Sequence, residues 1–261
     1  MMDSGAFTAH NRKETIDVDE FIKWHEELLR ECPKIKLKAG LDSLIDWQVS
    51  IANQEKTDKA GLGLFPTFHR FDPPHVHDWI LERKYPLYAF GGLVQDALTA
   101  SDAIGAWLDG CYDKICDKEG NNTQKVHLFG VSNIELMMKY PCYSSDSASA
   151  LFTGSYGCIH IPTMDPFTGQ PDWTRPMVRM SVSDESPNAG KANQHFSTLK
   201  KDQREIVRAF VESHPGFTIE KLAERHEARK VFCVMIQRKQ AEIGFPENPK
   251  FVRSVKDDFF A

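Results

Sequence analysis

Residues 62–93, LGLFPTFHRFDPPHVHDWILERKYPLYAFGGL, decide the fold, because two short apolar runs flank a helical segment. The runs LGLFPTFH (62–69) and PLYAFGGL (86–93) have the length of buried strands. The segment PPHVHDW between them is typical of a helix start. Strand, helix and strand in this order indicate a βα unit with parallel strands.

The same alternation continues in both directions from this unit. Four further apolar runs lie near residues 1–8, 36–44, 126–131 and 142–146, and two more strands are predicted within 157–182. Asp17 predicts the start of an intervening helix, and another helix is expected from about Ser101 to Asp117. No G-x-G-x-x-G turn follows the first run, so the fingerprint of a dinucleotide-binding sheet is missing. We therefore predict an α/β fold, a (β/α)8 TIM-type barrel, over residues 1–182.

Residues 183–261 are predicted to form a helical, basic C-terminal part packed on the barrel. Residues 175–261 contain 16 Lys and Arg against 12 Asp and Glu, whereas the whole chain has a net charge of -5. We expect Arg225, Arg229 and Lys230 to contact a nucleic-acid backbone. A solvated helical surface explains the same charges equally well.

Composition excludes several classes of protein. Hydrophobic residues make up 41% of the chain, an ordinary globular balance, and no run reaches the roughly 18 apolar residues that a membrane span needs. The N-terminus lacks the pattern of a signal peptide, which predicts a cytoplasmic protein without membrane contact. The six cysteines form no C-x-x-C pair, so we expect reduced thiols and no metal site.

Candidate functional residues stand where the predicted strands end, which is where barrels place reactive groups. In chain order they are Asp3, Ser4 and Phe7, then Asp42, then His69, then Gly91, Gly92 and Leu93, then Phe129, and finally Asp146. Aromatic rings can sandwich a planar base, glycine lets the backbone approach it, and carboxylates do covalent or acid–base work. Each residue also has a structural explanation, such as a cap, a tight turn or a core ring.

Three motifs resemble the tRNA-guanine transglycosylase superfamily, and above all its phage and bacterial DNA guanine transglycosylases. DSGAFT (3–8) resembles the DSGGFQ motif of that superfamily, and FGGL (90–93) resembles its GGLAVGE segment. The stretch HLFGVSNIELMMKYPCYSSDS (127–147) resembles the segment that leads from H-x-F-G to Y-P-x-Y-S-x-D-S. The motifs occur in matching order over about residues 1–160.

The resemblance implies an enzyme that exchanges guanine in a polynucleotide for a 7-deazaguanine without a cofactor. Asp146 matches the nucleophile, which would attack C1′ and form a covalent glycosyl-enzyme. Asp3 matches the aspartate that takes the proton of the incoming base. The remaining residues would bind the base: Ser4, Phe7, Asp42, His69, Gly91, Gly92, Leu93 and Phe129. His69 stands where the family usually has glutamine, so its role is open.

Two departures from the family affect the expected substrate and fold. The transfer-RNA enzymes carry a C-x-C-x2-C…H zinc site after the nucleophile, and here only Cys158 and His160 lie nearby. We therefore expect DNA rather than transfer RNA as the partner, together with a base such as 7-cyano-7-deazaguanine. Only two residues precede Asp3, which implies either a barrel trimmed at its N-terminus or a further strand upstream.

Two alternatives remain open. His75 and His77, with His69, Asp72 and Asp78 nearby, have the density of ligands seen in metal-dependent amidohydrolase-type barrels. A non-catalytic, DNA-associated accessory protein of the same fold is the second alternative, although it would have no need for both Asp3 and Asp146.

Overall fold

The computed structural model describes residues 1–93, 101–165, 167–191, 193–246 and 249–252 of a mixed α/β chain. The chain divides into two compact units. Unit 1 comprises Met1–Val131, Tyr140–Asp146 and Lys250–Ala261, and unit 2 comprises Ser132–Lys139 and Ser147–Pro249. This division does not follow the predicted boundary between residues 182 and 183. Residues 253–261 of the predicted C-terminal part lie outside the described residues.

Unit 1 alternates helices with short strands. The helices are α1 (Ala6–Arg12), α2 (Val18–Glu31), α3 (Trp47–Lys59), α4 (Pro74–Glu82) and α5 (Ser101–Ile115), and the strands are β1 (Thr67–His69), β2 (Tyr88–Gly91), β3 (Val126–Leu128) and β4 (Ser144–Ser145). Local chemistry explains where several helices begin. Asp17 accepts hydrogen bonds from two backbone N–H groups at the start of α2, as predicted, and Asp46 does the same for α3. Pro74 occupies the first position of α4, where no N–H is required.

The four strands form a parallel sheet in the order β1-β2-β3-β4, which confirms the predicted βα units. Two parallel bridges extend this pattern toward the N-terminus, from Met2 to Lys38 and from Ala39 to Phe65. Six parallel segments therefore neighbour one another in chain order. The described residues contain no closed barrel.

One face of these segments has an apolar layer that precedes the strand ends. The layer consists of buried Ala39, Phe65, Leu87 and Ala89, packed against Leu37 and Phe129. The opposite face carries the large rings Phe68, Tyr88 and Phe90, all buried, which pack towards α4 and α5 through His77 and Trp107. Side chains alternate between the two faces along a strand. Polar residues that follow this apolar layer at even spacing therefore lie on the same face, where the strands end.

Unit 2 combines helices with two small antiparallel sheets. Its elements are α6 (Ile134–Lys139), α7 (Ser149–Ser155), β5 (Cys158–Ile161), β6 (Thr163–Met164), β7 (Pro171–Asp172), β8 (Val178–Ser181), a 3-10 turn (Phe196–Thr198), α8 (Lys201–Glu212), α9 (Ile219–Glu224) and α10 (His226–Ile243). Its core includes Ile159, Val211, Leu222, Phe232 and Ile236, all buried.

The two extra barrel strands predicted within 157–182 are β5 and β8, and the prediction that they are parallel is wrong. They pair antiparallel, with Cys158 opposite Ser181 and Ile161 opposite Val178. The intervening residues are rich in proline and glycine and form the β6–β7 hairpin instead of a crossover helix. Without a crossover the chain can only return antiparallel.

No helix in the described part of the chain combines the length and apolarity needed to span a bilayer.

Candidate functional site

The candidate site lies at the edge of the parallel sheet where the segments of unit 1 end. Asp3 follows the bridge at Met2, Asp42 follows the segment at Ala39, and His69 ends β1. Gly91 ends β2, and Asp146 follows β4. His69 is opposite Gly91 in register, and His127 on β3 is opposite Ser144 on β4. The carboxyl ends of parallel strands share one edge, so the fold brings these predicted residues to the same side.

Asp42 and His69 form a closely paired couple at this edge. His69 Nε2 lies 2.6 Å from Asp42 Oδ2, and only 7% and 13% of the two side chains are exposed. Ser4 Oγ donates to the other oxygen, Asp42 Oδ1, at 3.2 Å. Asp42 therefore connects the ends of three segments, and Ser4, Asp42 and His69 lie together as a hydrogen-bonded group.

Charge around His69 decides its protonation. Burial lowers the pKa of His69, but the hydrogen bond to Asp42 and the charges of Asp42 and Asp72 outweigh burial, so the pKa is raised above its ordinary value. Burial also raises the pKa of the Asp72 carboxyl, which accepts from the His69 backbone N–H at 2.9 Å. The imidazole is therefore biased towards its cationic form, next to carboxylates.

Glycine at positions 91 and 92 is required by this packing. A Cβ atom on Gly91 would lie 2.7 Å from His69 Nδ1 and 2.9 Å from Thr67 Cγ2, distances that real Cβ atoms do not show. Gly92 has φ +72, a conformation that L side chains rarely adopt. The predicted glycine pair thus makes room for His69.

Asp146 is held by two donors from β3 and the residues that follow it. Its Oδ1 accepts from the Gly130 backbone N–H at 2.9 Å and lies 3.3 Å from His127 Nε2. Burial would raise the pKa of Asp146, but the hydrogen bonds from His127 and Gly130 lower it below its ordinary value. Its side chain is 46% exposed, so the ionised carboxylate remains accessible.

The pKa of Asp3 is shifted in the opposite direction, above its ordinary value. Removal of the carboxyl group from water raises this pKa, and the charges of Asp42 and Asp146 raise it further, whereas the hydrogen bond from Ser4 N–H (2.8 Å) lowers it. Both carboxylates are therefore close enough for their charges to interact. Asp3 holds its proton more tightly than Asp146.

The other predicted base-binding residues are less uniform in their positions. Phe7, on α1, is 50% exposed. Phe129 is half-buried, and its ring packs on His127 at 4.6 Å between centroids and on Phe65 at 6.3 Å. Leu93 is buried as a whole residue, with 1% of its surface exposed, which argues against a direct contact with the base. Phe7 fits a stacking role best.

Sequence reasoning missed His127 and Ser144. His127 is 1% exposed, and its Nδ1 lies 2.9 Å from Ser144 Oγ while its Nε2 faces Asp146. A signal for His127 exists in the sequence: it precedes Phe129 by two residues, and the period of a strand puts both on one face. Ser144 has the same relation to Asp146.

The predicted phosphate-binding residues lie in unit 2 and differ in exposure. Arg225 is exposed and Lys230 is half-buried. Arg229 is buried, and its guanidinium donates to the carbonyls of Gly154 (2.8 Å), Leu222 (2.8 Å) and Ala223 (2.9 Å). These bonds give Arg229 a structural role and argue against a phosphate contact.

The histidines of the metal-site alternative do not converge. His77 is buried on α4, stacks on Phe68 at 4.8 Å and bonds the Tyr88 hydroxyl at 2.9 Å. His75 is exposed and packs edge-on against Trp47. In the part of the chain that the structure describes, no three His, Cys, Asp or Glu side chains are arranged to hold a metal ion.

Comparison of the chain with models of protein families, with curated proteins and with solved structures found no match.

Proposed function

We propose that this chain is a guanine transglycosylase that exchanges guanine in DNA for a 7-deazaguanine through a covalent glycosyl-enzyme. The observation that carries the proposal is the pair of carboxylates, Asp3 and Asp146, whose pKa values are shifted in opposite directions at one sheet edge. Opposite shifts are the usual mark of a divided acid–base and nucleophilic role. The motif resemblance of both residues supports the same assignment.

Asp146 is the nucleophile in this proposal. A lowered pKa keeps it ionised, and since His127 and Gly130 both reach Oδ1, we assign the attack on C1′ to Oδ2. The new Oδ2–C1′ bond forms as the bond from C1′ to N9 of guanine breaks, and the electron pair of that bond goes to guanine. An oxocarbenium-like transition state is expected, as in retaining glycosidases.

Asp3 manages the proton of the exchange. The departing guanine takes up a proton, and the incoming 7-deazaguanine must lose one from its ring nitrogen before that nitrogen attacks C1′. Asp3 donates the first proton and accepts the second, so the complete exchange neither releases nor takes up a proton. A raised pKa suits both steps, because an acid–base group works best when its pKa approaches the working pH.

His127 is a positioning residue for the nucleophile. Its Nε2 donates to Asp146, and its Nδ1 lies 2.9 Å from the Ser144 hydroxyl. The proton on Nε2 is assigned from the hydrogen-bond pattern. The chain of bonds fixes one carboxylate oxygen and leaves the other directed at substrate, which lowers the entropic cost of attack.

Base binding falls to the remaining residues of the edge. Asp42 and the cationic form of His69 present an acceptor and a donor, and we assign a main-chain contact to half-buried Gly92. Phe7 supplies a ring for stacking. We infer that these groups read the purine edge of guanine and of its 7-deaza analogue.

The proposed fold is a TIM-type barrel with its last strands replaced. Six parallel segments in chain order are the winding of such barrels, whereas a doubly wound sheet reverses strand order at its switch point. DNA is preferred to transfer RNA as substrate because the zinc-binding cysteines of the transfer-RNA enzymes have no counterparts in this sequence. Cys158, the nearest cysteine, is a buried thiol next to Ser181.

The test is to trap the covalent adduct. The chain is mixed with guanine-containing duplex DNA and a dead-end base analogue, resolved on a denaturing gel, and the linked peptide is identified by mass spectrometry. We expect the adduct on Asp146. Asp146→Asn should form none and should lower exchange of labelled guanine by about 10⁴-fold, equivalent to about 5.5 kcal/mol of transition-state stabilisation.

The matched control is Asp184→Asn, which removes one carboxylate from a fully exposed side chain in unit 2. It should leave both adduct and exchange unchanged. An adduct on another residue, or normal exchange by Asp146→Asn, would refute the proposed mechanism.

A further inference from the structure

The turn between β1 and α4 is held rigidly at the edge of the candidate site. Asp72 N–H donates to the His69 carbonyl at 3.0 Å, and the Asp72 side chain accepts from His69 N–H at 2.9 Å. Arg70 N–H donates to the Gly91 carbonyl at 3.2 Å, which ties the turn to the end of β2. Arg70 and Phe71 therefore occupy the two central positions of a turn anchored at both ends.

This turn presents an aromatic ring to solvent. Phe71 is 72% exposed, and the Arg70 guanidinium carbon lies 5.3 Å from the centroid of its ring. Central turn positions favour glycine, proline, asparagine, aspartate and serine, so a phenylalanine there has no conformational explanation. Burial explains it no better, because most of the ring is outside the core. The ring is also two residues from His69, which belongs to the site.

We propose that Phe71 stacks on the nucleobase next to the exchanged nucleotide, with Arg70 holding the ring and facing the DNA backbone. This inference rests on the proposed function. A base inside a duplex must leave the stack before C1′ is accessible, and its departure leaves the neighbouring base with one uncovered face. An aromatic side chain that covers this face stabilises the opened strand, as apolar wedges and stacking platforms do in other nucleic-acid-binding proteins.

The pairing with Arg70 fits this partner. The phosphate groups that flank an extruded nucleotide are anionic, and guanidinium groups bind them with directed hydrogen bonds. The rigid turn means that little conformational entropy is lost when the ring is covered. A nucleobase with its phosphate therefore matches both side chains at once.

The experiment measures DNA binding without requiring exchange. Dissociation constants are obtained from fluorescence polarisation of a labelled duplex, and a 2-aminopurine placed beside the target guanine reports stacking. Phe71→Ala should weaken binding by about fivefold or more, the range seen when one stacking residue is truncated, and should leave more of the 2-aminopurine fluorescence unquenched. Phe71→Trp, which keeps an aromatic ring, should bind DNA with the affinity of the wild type and quench the 2-aminopurine to the same extent.

Phe167→Ala is the matched control, since Phe167 is 94% exposed in the turn between β6 and β7 of unit 2. It should bind DNA as the wild type does. Thermal unfolding of Phe71→Ala should match the wild type, which separates stacking from a structural role.

The outcomes separate this inference from the proposed function. Wild-type affinity and quenching in Phe71→Ala, in a chain that forms the Asp146 adduct, would overturn the stacking role alone. Phe71-dependent binding in a chain that forms no adduct would support stacking and refute exchange. A wild-type chain that binds no DNA would overturn both.

Discussion

At the scale of single residues, the site assigns different states to chemically identical carboxyl groups. Asp146 accepts two hydrogen bonds on one oxygen, whereas Asp3 faces the charges of Asp42 and Asp146. Hydrogen bonds to the ionised form lower a pKa, and like charges raise it. The surroundings, rather than the residue type, therefore decide which carboxyl group is biased towards its ionised form and which towards its protonated form.

The raised pKa of Asp3 makes a prediction about acid pH. As the pH falls, Asp3 takes up a proton before Asp146 does, because its pKa is above the ordinary value and that of Asp146 is below it. In the proposed mechanism guanine departs with the Asp3 proton, but a protonated Asp3 in the glycosyl-enzyme cannot accept the proton of the incoming base, so the second half of the exchange should slow on the acid side as Asp3 titrates. Asp3→Asn should lower exchange by about 10²–10⁴-fold and remove this acid limb from the pH–rate profile. Near-normal turnover in Asp3→Asn, with the limb retained, would assign the proton to another group.

The positioning role that we propose for His127 makes a second prediction. Replacing His127 removes a hydrogen bond that lowers the pKa of Asp146, so the pKa should rise towards its ordinary value. In His127→Phe, adduct formation should slow and should become sensitive to acid at a higher pH than in the wild type. His127→Gln, which keeps a donor, should recover part of the rate. The control is His160→Gln, a histidine of unit 2 that contacts Thr153. An unchanged pH profile in His127→Phe would leave His127 with a packing role only.

At the scale of elements, local signals in the sequence predicted the strand–helix units of unit 1. They did not predict that β5 and β8 pair antiparallel. The prolines before α4 and the cap at Asp17 act within a few residues, so the sequence contains all that is needed to place them. The antiparallel pairing of β5 with β8 depends on what connects them and not on the residues of the two strands. Pairing direction is a long-range property that periodicity does not contain.

Arg229 shows the same limit at one position of α10. Its charge predicted a phosphate contact, yet its guanidinium donates hydrogen bonds to carbonyls at the C-terminal ends of α7 and α9. Only burial distinguishes the two roles, and a helix with mixed polar and apolar residues gives no clear signal of it. The strand-end carboxylates were easier to predict because the carboxyl edge of a parallel sheet is fixed by topology.

A prediction separates the structural Arg229 from its neighbours Arg225 and Lys230. Arg229→Met leaves three carbonyls, two of them buried, without a charged donor and should lower the free energy of unfolding by about 3 kcal/mol or more. The double variant Arg225→Glu, Lys230→Glu should unfold like the wild type but bind DNA more weakly, with a shallower dependence on salt. Denaturant titration measures the first effect and a salt series of binding constants the second. Wild-type stability of Arg229→Met would contradict the structural assignment, and unchanged affinity of the double variant would place the DNA contacts elsewhere.

At the scale of the whole molecule, each unit has its own core and a histidine that its surroundings keep neutral. His77 is buried in unit 1, and His160 lies in unit 2 with its Nε2 on Thr153. Burial lowers the pKa of each to about 4, and the charge of Lys114 adds to the effect at His77 while Arg179 adds to it at His160. Both units therefore carry a group that must stay neutral when folded.

The stability of the chain should fall as the pH drops below neutrality. An unfolded histidine titrates near 6.5 whereas folded His77 titrates near 4, so its stabilising contribution is present above pH 6.5 and is lost as the pH falls towards 4. Between pH 7 and pH 5 the expected loss is about 2 kcal/mol for this group, measured by denaturant unfolding at the two pH values. His77→Gln cannot titrate and should show a smaller difference between the two pH values, even though loss of stacking on Phe68 lowers its stability at pH 7. His75→Gln, an exposed change on the same helix, should keep the wild-type difference. Equal pH dependence in His77→Gln and the wild type would show that other groups control acid unfolding.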